Sequence, residues 1–327
     1  MNQRNLILLG LAVSSMLMLN WFQSNKEIES QDSLLLPRLK ENLALLTRVE
    51  IKSSSNLFTL LKEEGGWVLA EKDAYPVDFQ GLSILLKGLA GARLIEKKTS
   101  KPENFGSLKL MDISNEDSES ILVTGFAPDY EFAVLVGKQA LGREGQFIRM
   151  SGHNQAWLID EEFEISGDVT TWLDPIIINV DSEQVVRVEQ FDPQGSLQFA
   201  IERSAGIEAQ DGEPVFTLSD IPSGSSLKYP SITDELARSL VNVRFTDVSL
   251  HQPSRWQSPA RMQFSLVDGG AIAVAAEKID GTNWLHLTVS DTSEGKENTA
   301  SWDYEVSSYV FEDYTKELDD LLESESE

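Results

Sequence analysis

Residues 48–69 read RVEIKSSSNLFTLLKEEGGWVL and carry the pattern on which the architecture rests. Apolar and polar residues alternate in Val49-Glu-Ile51, and the apolar run Leu57–Leu61 is also typical of a strand. Gly65-Gly66 predicts a hairpin turn, after which Trp67-Val-Leu69 returns as the next strand. This stretch therefore predicts consecutive antiparallel strands.

One amphipathic helix is predicted to follow these strands. Asp78 is a good N-cap because its carboxylate can accept a hydrogen bond from the first turn of a helix. Apolar residues then recur at helical spacing from Phe79 to Leu89, and Gly91 is a suitable end. The first half of the chain is thus expected to pack one helix against a sheet.

The second half of the chain repeats this order of elements. Arg187-Val-Glu189 echoes Arg48-Val-Glu50, a helix is predicted to begin at Ser231, and Asp268-Gly269-Gly270 and Asp280-Gly281 predict hairpin turns. We expect an α+β fold with an N-terminal transmembrane helix and two similar units of mostly antiparallel sheet. Each unit has one packed helix, and a C-terminal strand and helix follow. One irregular sheet with two helices is the alternative.

The expected organisation has five segments. They are a transmembrane signal anchor at 1–22, a linker and short helix at 23–47, a first α+β unit at 48–174, a second α+β unit with the C-terminal helix at 175–323, and an acidic disordered tail at 324–327. The C-terminal helix is expected because apolar residues recur at helical spacing between Val310 and Leu322.

The N-terminus carries a membrane signal. Residues 6–22 contain no charge, which gives the shortest length expected to span a bilayer as a helix. Arg4 precedes this run, so the positive-inside rule places the N-terminus in the cytoplasm, and Trp21 and Phe22 are typical of an interfacial anchor. A cleaved secretory signal and an ordinary buried helix are the alternatives.

Composition excludes several function classes. The chain has 27 Lys and Arg against 53 Asp and Glu, a formal net charge of −26, so a nucleic-acid partner is not expected. The absence of cysteine excludes disulfides, thiol nucleophiles and Cys-ligated metal sites.

No catalytic, cofactor-binding or metal-binding residue is predicted from local motifs. The three histidines, His153, His251 and His286, do not lie at metal-ligand spacing, and each is expected to be a surface or structural residue. The acidic run 160–164 could gather calcium, but consecutive carboxylates point in different directions, so a solvated surface is favoured. We therefore predict no enzyme activity and no cofactor, with a carboxylate-based hydrolase as the weaker alternative.

Several segments resemble one bacterial family. They include Gly66-Trp-Val-Leu69, Tyr75-Pro76-x-Asp78, Leu94-Ile-Glu96-x-Lys98-Thr99, Gly145-Gln-Phe-Ile-Arg149, Ala156-Trp157-Leu158 and Trp172-Leu173-Asp174. These segments are similar to the family called domain of unknown function 4340 (DUF4340). The candidate structural or family-motif residues are Tyr75, Pro76, Asp78, Trp157, Trp172 and Asp174.

The resemblance implies a cellular role but no chemical reaction. Members of this family are typically membrane-anchored bacterial proteins, often encoded beside gliding-motility-type ABC transporters, and no catalytic residues can be carried over. We expect a non-catalytic accessory protein of an ABC-transporter-type export or envelope complex. It would lie at the inner membrane, cross the bilayer through residues 6–22 and place its body in the periplasm. Its partner would be a permease or a related membrane subunit. The alternative is an envelope ligand-binding module for glycan, peptide or lipid, with the ligand between the two units.

Overall fold

The computed structural model describes residues 33–142, 144–208, 214–290 and 299–323. The chain divides into two compact units between Leu173 and Asp174. The α-helices in the described ranges are α1 (Leu39–Asn42) and α2 (Phe79–Gly91) in the first unit, and α3 (Ile232–Ala237), α4 (Ser308–Tyr314) and α5 (Leu318–Leu321) in the second.

The first unit is built on a nine-stranded sheet. Its strands are β1 (Arg48–Lys52), β2 (Leu57–Glu63), β3 (Gly66–Leu69), β4 (Tyr75–Pro76), β5 (Leu94–Lys97), β6 (Ile121–Ala127), β7 (Tyr130–Gln139), β8 (Gln146–Met150) and β9 (Ala156–Ile159). Their order across the sheet is β4-β3-β2-β1-β6-β7-β8-β9-β5. Every neighbouring pair is antiparallel.

The second unit contains a two-stranded and an eight-stranded sheet. Its strands are β10 (Ile176–Ile178), β11 (Val185–Phe191), β12 (Leu197–Glu208), β13 (Pro214–Ser219), β14 (Val243–Arg244), β15 (Asp247–Leu250), β16 (Ala260–Leu266), β17 (Ala271–Ile279), β18 (Thr282–Ser290) and β19 (Trp302–Glu305). Strands β10 and β14 pair with each other. The larger sheet has the order β13-β12-β11-β16-β17-β18-β19-β15.

The two large sheets share one strand order. In each unit three strands consecutive along the chain (β1–β3 and β11–β13) precede the helix, and the first strand of the large sheet after that helix pairs at the sheet edge with the last strand of the unit. Thus β5 pairs with β9 in the first unit, and β15 pairs with β19 in the second. Among the described residues the first sheet has one more strand than the second, and this additional strand is β4.

Side-chain alternation places one face of each large sheet in a core. In the first unit Val49 and Ile51 of β1 are fully buried, while their neighbours along the strand are more exposed. In the second unit Val274 of β17 and the pair Leu285 and Leu287 of β18 are fully buried in the same way. The other face of each sheet is therefore available for covering segments or polar side chains.

A buried arginine holds the covering segment on the first sheet. Arg149 of β8 is 2% exposed, and its guanidinium lies 4.5 Å above the ring of Phe105. It donates to the carbonyl of Leu110 (3.0 Å from Nη2) and to that of His153 (2.7 Å from Nη1). It also pairs with the Asp112 carboxylate at 2.7 Å. This one side chain therefore fixes the segment around 105–112 to the sheet.

The predicted α+β fold class is wrong. The structure is mostly antiparallel sheet, in three sheets, with few helices. The helix predicted between Val310 and Leu322 is two short helices, because the chain leaves helical geometry at Thr315 and Glu317 caps a new helix through a capping box with Asp320. The prediction made from the helical spacing of apolar residues therefore contained too much helix between Val310 and Leu322.

The membrane-spanning part of that prediction falls on residues that the structure does not describe. The anchor at 6–22, with Arg4, Trp21 and Phe22, lies outside the described ranges, as does the acidic tail at 324–327. Within the described ranges, none of the helices combines the length and the apolar character needed to cross a bilayer.

Replacing Arg149 with methionine is expected to destabilise the first unit by about 2–4 kcal/mol, because the Leu110 and His153 carbonyls lose their buried donor. Urea unfolding followed by tryptophan fluorescence measures this loss. Arg48→Met is the matched control, since Arg48 is 42% exposed, and its contacts with the Glu50 carboxylate and the Phe126 ring are of a kind that contributes about 1 kcal/mol at exposed sites. Equal effects of the two substitutions would contradict the role given to Arg149.

Candidate functional site

Three neighbouring strands of the second unit bring a polar cluster together on one sheet face. Asp303 of β19 lies directly opposite His286 of β18 and, on the other side, opposite Ser249 of β15. Side chains that lie opposite each other across a sheet share a face. His251 follows the end of β15, where its backbone N–H bonds to the Ser301 carbonyl at 2.8 Å. Strand pairing therefore carries both histidines to one carboxylate.

The Asp303 carboxylate accepts hydrogen bonds on both oxygens. His251 Nδ1 lies 2.6 Å from Oδ1, and His286 Nδ1 lies 3.3 Å from the same oxygen. The indole Nε1 of Trp256 donates to Oδ1 at 3.2 Å, while the backbone N–H of Gln252 donates to Oδ2 at 3.2 Å. One carboxylate thus organises side chains from β18 and from the segment that follows β15.

Burial and hydrogen bonding act in opposite directions on Asp303. Its side chain is 1% exposed, and this burial raises the pKa, because a charged carboxylate is costly away from water. Hydrogen bonds from His286, His251, the Gln252 backbone and Trp256 lower the pKa by more, to about 2. The carboxylate is therefore charged throughout the physiological range.

The two histidine rings stack on each other. Their centroids are 3.6 Å apart and their planes differ by 22°. The His286 Nδ1 also lies 3.0 Å from the Trp302 carbonyl, so its proton can be shared between that carbonyl and Asp303. His251 is 24% exposed and His286 is 14% exposed, so both rings are partly accessible to solvent.

The segment 252–259 folds over this face and is held by a second carboxylate. Glu277 of β17 accepts from the backbone N–H groups of Gln257 (2.8 Å) and Ser258 (3.0 Å). Arg255 lies 4.3 Å above the Trp284 ring and 3.9 Å from Asp303 Oδ2. The segment is therefore fixed at several points along its length.

A pocket of about 380 Å³ opens beside the histidines, within the second unit. Small side chains form its floor, because Ala275 of β17 lies between His286 of β18 and Arg261 of β16 in the sheet. Trp256 and Thr288 are among its other lining residues. None of the described residues that line it carries a carboxylate. Although the chain as a whole is acidic, this pocket is lined by one arginine and two imidazoles and by no described carboxylate.

A larger cavity, of about 650 Å³, lies in the first unit. Its polar groups already bond to one another or to the backbone: Ser118 pairs with Ser120 at 2.8 Å, and Glu71 accepts from the Thr59 backbone at 2.8 Å. Because these donors and acceptors are used within the fold, we take the smaller pocket beside the histidines as the candidate site.

The family-motif residues predicted from the sequence lie in the first unit, apart from Asp174. Tyr75 is buried on β4 beside the exposed Pro76, and Asp78 caps α2 through a 2.9 Å bond from the Gln80 N–H. The backbone N–H of Asp78 bonds to the Trp172 carbonyl at 2.8 Å. The structure thus brings this corner and Trp172 together.

The remaining two motif residues lie elsewhere. Trp157 is buried in β9, with Lys97 Nζ 5.3 Å from its ring centroid. Asp174 begins the second unit and accepts from the Ile176 N–H at 3.1 Å. Neither lines the pocket beside the histidines.

Sequence reasoning missed the cluster of His251, His286 and Asp303. These residues are separated by whole strands, so no local spacing connects them. His286 alternates with Leu285 and Leu287, and Asp303 lies between Trp302 and Tyr304, so the sequence pattern indicated only that both polar residues face away from the core. Only the pairing of β18, β19 and β15 shows that they meet.

Comparison with known families adds one match. A family model described as "Domain of unknown function (DUF4340)" matches residues 67–264. That range runs from β3 to β16 and includes His251, Trp256 and Arg261 but not His286 or Asp303. Neither the curated proteins nor the solved structures contain a match to the chain.

Asp303→Asn is expected to lower the free energy of unfolding by about 2 kcal/mol at pH 7, because the native pKa of Asp303, about 2, lies below its ordinary value of 3.8. A depressed pKa stabilises the fold above pH 4, and this contribution is lost as the pH falls towards 2. The difference between wild type and variant should therefore shrink over that window in urea unfolding. Asp280→Asn, at an exposed hairpin turn, is the control and should show no such dependence.

Proposed function

Because this chain belongs to the DUF4340 family, whose function is unknown, we propose a function from its site: the second unit is a non-catalytic binding module for a small anionic ligand. The observation that carries the proposal is the pocket beside the histidines. It is lined by Arg261, His251, His286 and Trp256, and no described lining residue is a carboxylate. The sequence analysis suggested an envelope ligand-binding module, and the pocket adds that its ligand carries a negative charge.

Charge complementarity supports an anion. The chain has a formal net charge of −26, so most of its surface repels anions. Asp303, behind the histidines, accepts hydrogen bonds from them and from the Gln252 backbone, and Glu277 accepts from the backbone of Gln257 and Ser258. Arg261 is exposed at the pocket and can pair with a carboxylate in two parallel hydrogen bonds.

Size and shape narrow the ligand class. A volume of about 380 Å³ lies near the lower end of the range of about 300–1,000 Å³ found for small-molecule sites. The Trp256 ring is held by its hydrogen bond to Asp303 and offers a flat apolar surface to a sugar or peptide. We therefore propose a carboxylate-bearing monosaccharide, disaccharide or short peptide as the ligand.

Acidic probes are expected to bind more tightly than their neutral counterparts. Isothermal titration of the full chain with glucuronate, N-acetylmuramate and a glutamyl dipeptide, each against its neutral analogue in the presence of EDTA, measures this preference. Arg261→Gln should weaken binding of the acids at least tenfold, because a charged hydrogen bond contributes about 1.5–3 kcal/mol.

Arg244→Gln is the matched control for that experiment. Arg244 is exposed in the same unit, bonds to Asn242 at 3.3 Å and lies outside the pocket. Its substitution should leave binding unchanged. Equal binding of acidic and neutral probes, or equal effects of the two arginine substitutions, would contradict the proposed ligand class.

A second proposal is an accessory role beside an ABC-transporter-type export or envelope complex, on the periplasmic side of the bacterial inner membrane. Its support is the family resemblance carried by Tyr75, Pro76 and Asp78. The non-catalytic binding module proposed above is compatible with such an accessory role. Addition of a partner strand is not favoured at β13, because Thr233 and Asp234 at the start of α3 bond to the Phe216 backbone on that strand, each at 2.7 Å.

Purification of the full chain from membranes in mild detergent is expected to recover a permease or related membrane subunit with it. The partner should be identified by mass spectrometry and should be absent after an identical purification of an unrelated tagged periplasmic protein. Recovery of the chain without a transporter subunit across several detergents would contradict the accessory role. It would leave the ligand-binding proposal standing.

A further inference from the structure

We propose that His251, His286 and Asp303 form a binding site for a divalent transition-metal ion. This site goes beyond the binding of an organic anion, since it uses the wall of the pocket and a different ligand chemistry. Each residue offers one ligand atom, and these atoms lie within 4.8 Å of one another.

The donor set identifies the class of metal. Two imidazole nitrogens and one carboxylate oxygen suit zinc and other first-row divalent ions, whereas magnesium and calcium favour ligand sets made of oxygen. Zn²⁺ bonds to such ligands are about 2.0–2.2 Å long. Three ligand atoms around one ion would therefore be separated by roughly 3.5 Å. The ligand atoms here lie within 4.8 Å of one another, and the 2.6 Å between His251 Nδ1 and Asp303 Oδ1 must widen for an ion to fit.

The sheet holds two of the three side chains in place. His286 and Asp303 are paired residues on adjacent strands, and His286 Nδ1 can donate to the Trp302 carbonyl at 3.0 Å, which leaves Nε2 of that ring as the atom that binds the ion. Trp256 and the Gln252 backbone fix the carboxylate with further hydrogen bonds. Supporting hydrogen bonds of this kind orient metal ligands and raise affinity.

His251 is the side chain that must move for an ion to bind. Its Nδ1 lies 2.6 Å from Asp303 Oδ1, a hydrogen-bond distance, and its ring stacks on that of His286. An ion bound to both atoms would displace the proton between them to solvent and separate the two atoms to roughly 3.5 Å, so the His251 ring would have to rotate. His251 lies beyond the end of β15 and is the more exposed of the two, so it has the greater freedom to rotate.

The route to the site is the pocket. His251 and His286 both line it, whereas Asp303 lies behind them at 1% exposure. An ion entering from solvent therefore meets imidazole first and the carboxylate last. Arg255 lies 3.9 Å from Asp303 Oδ2, and its positive charge opposes a cation there, so the two imidazoles must supply most of the affinity.

Cobalt and zinc titrations test this inference. The full chain is treated with EDTA and exchanged into metal-free buffer at pH 7.5, and Co²⁺ is added while visible absorption is recorded. Zn²⁺ binding is measured by calorimetry. We expect one equivalent of each ion to bind, with Co²⁺ giving the visible bands of nitrogen ligation and Zn²⁺ displacing it. His251→Ala and His286→Ala should each weaken binding at least a hundredfold.

The third histidine supplies the matched control. His153 lies in the first unit, so His153→Ala should leave metal binding unchanged. His286→Asn keeps a hydrogen-bond donor near the position of Nδ1 but has no imidazole, so it separates loss of a ligand from loss of folding. Thermal melting of each variant without metal shows whether the fold is intact.

Absence of saturable binding near one equivalent would overturn the metal site. Binding that survives in the folded double variant His251→Ala with His286→Asn would also overturn it, by assigning the ion to surface carboxylates. The organic-anion proposal is tested separately, because its titrations contain EDTA. Arg261→Gln should weaken anion binding at least tenfold and leave the Co²⁺ bands intact.

Discussion

Burying the Asp303 carboxylate without hydrogen-bond partners would destabilise the second unit, so the surrounding chain supplies donors from several directions. Strand β18 contributes His286, and the segment after β15 contributes His251, the Gln252 backbone and Trp256. Meeting this one requirement also shapes the pocket, since His251, His286 and Trp256 line it. The stability of this face and the shape of its pocket therefore depend on the same contacts.

The repeated strand order shows where the two units differ. In the first unit Trp157, the second residue of β9, lies opposite Ile148 of β8 and Lys97 of β5. In the second unit Asp303, the second residue of β19, lies opposite His286 and Ser249. Trp157 lies on the core face of its sheet, in one row with the buried Ile148 and Val136, whereas Asp303 and His286 lie on the face away from the core residues Leu285 and Leu287. The same topology thus carries an apolar core residue in one unit and a polar cluster on the other face in the second.

Local patterns in the sequence predicted parts of this structure. The hairpin at Gly65-Gly66 and the cap at Asp78 follow from turn and capping chemistry, which acts over a few residues. Helix content was overestimated around 310–322, where capping at Glu317 interrupts an apolar stripe. The cluster around Asp303 could not be predicted, because it depends on the pairing of strands distant in the chain. Its histidines show no motif spacing.

The Asp303 carboxylate holds both histidines of the second unit, and their imidazole nitrogens report these contacts directly. Long-range ¹H–¹⁵N NMR spectra of the full chain contain signals from three histidines, His153, His251 and His286. In metal-free protein, we expect Asp303→Asn to shift the ring-nitrogen signals of His251 and His286 and to leave those of His153 in place. Unchanged signals from His251 and His286 in the folded variant would contradict this expectation.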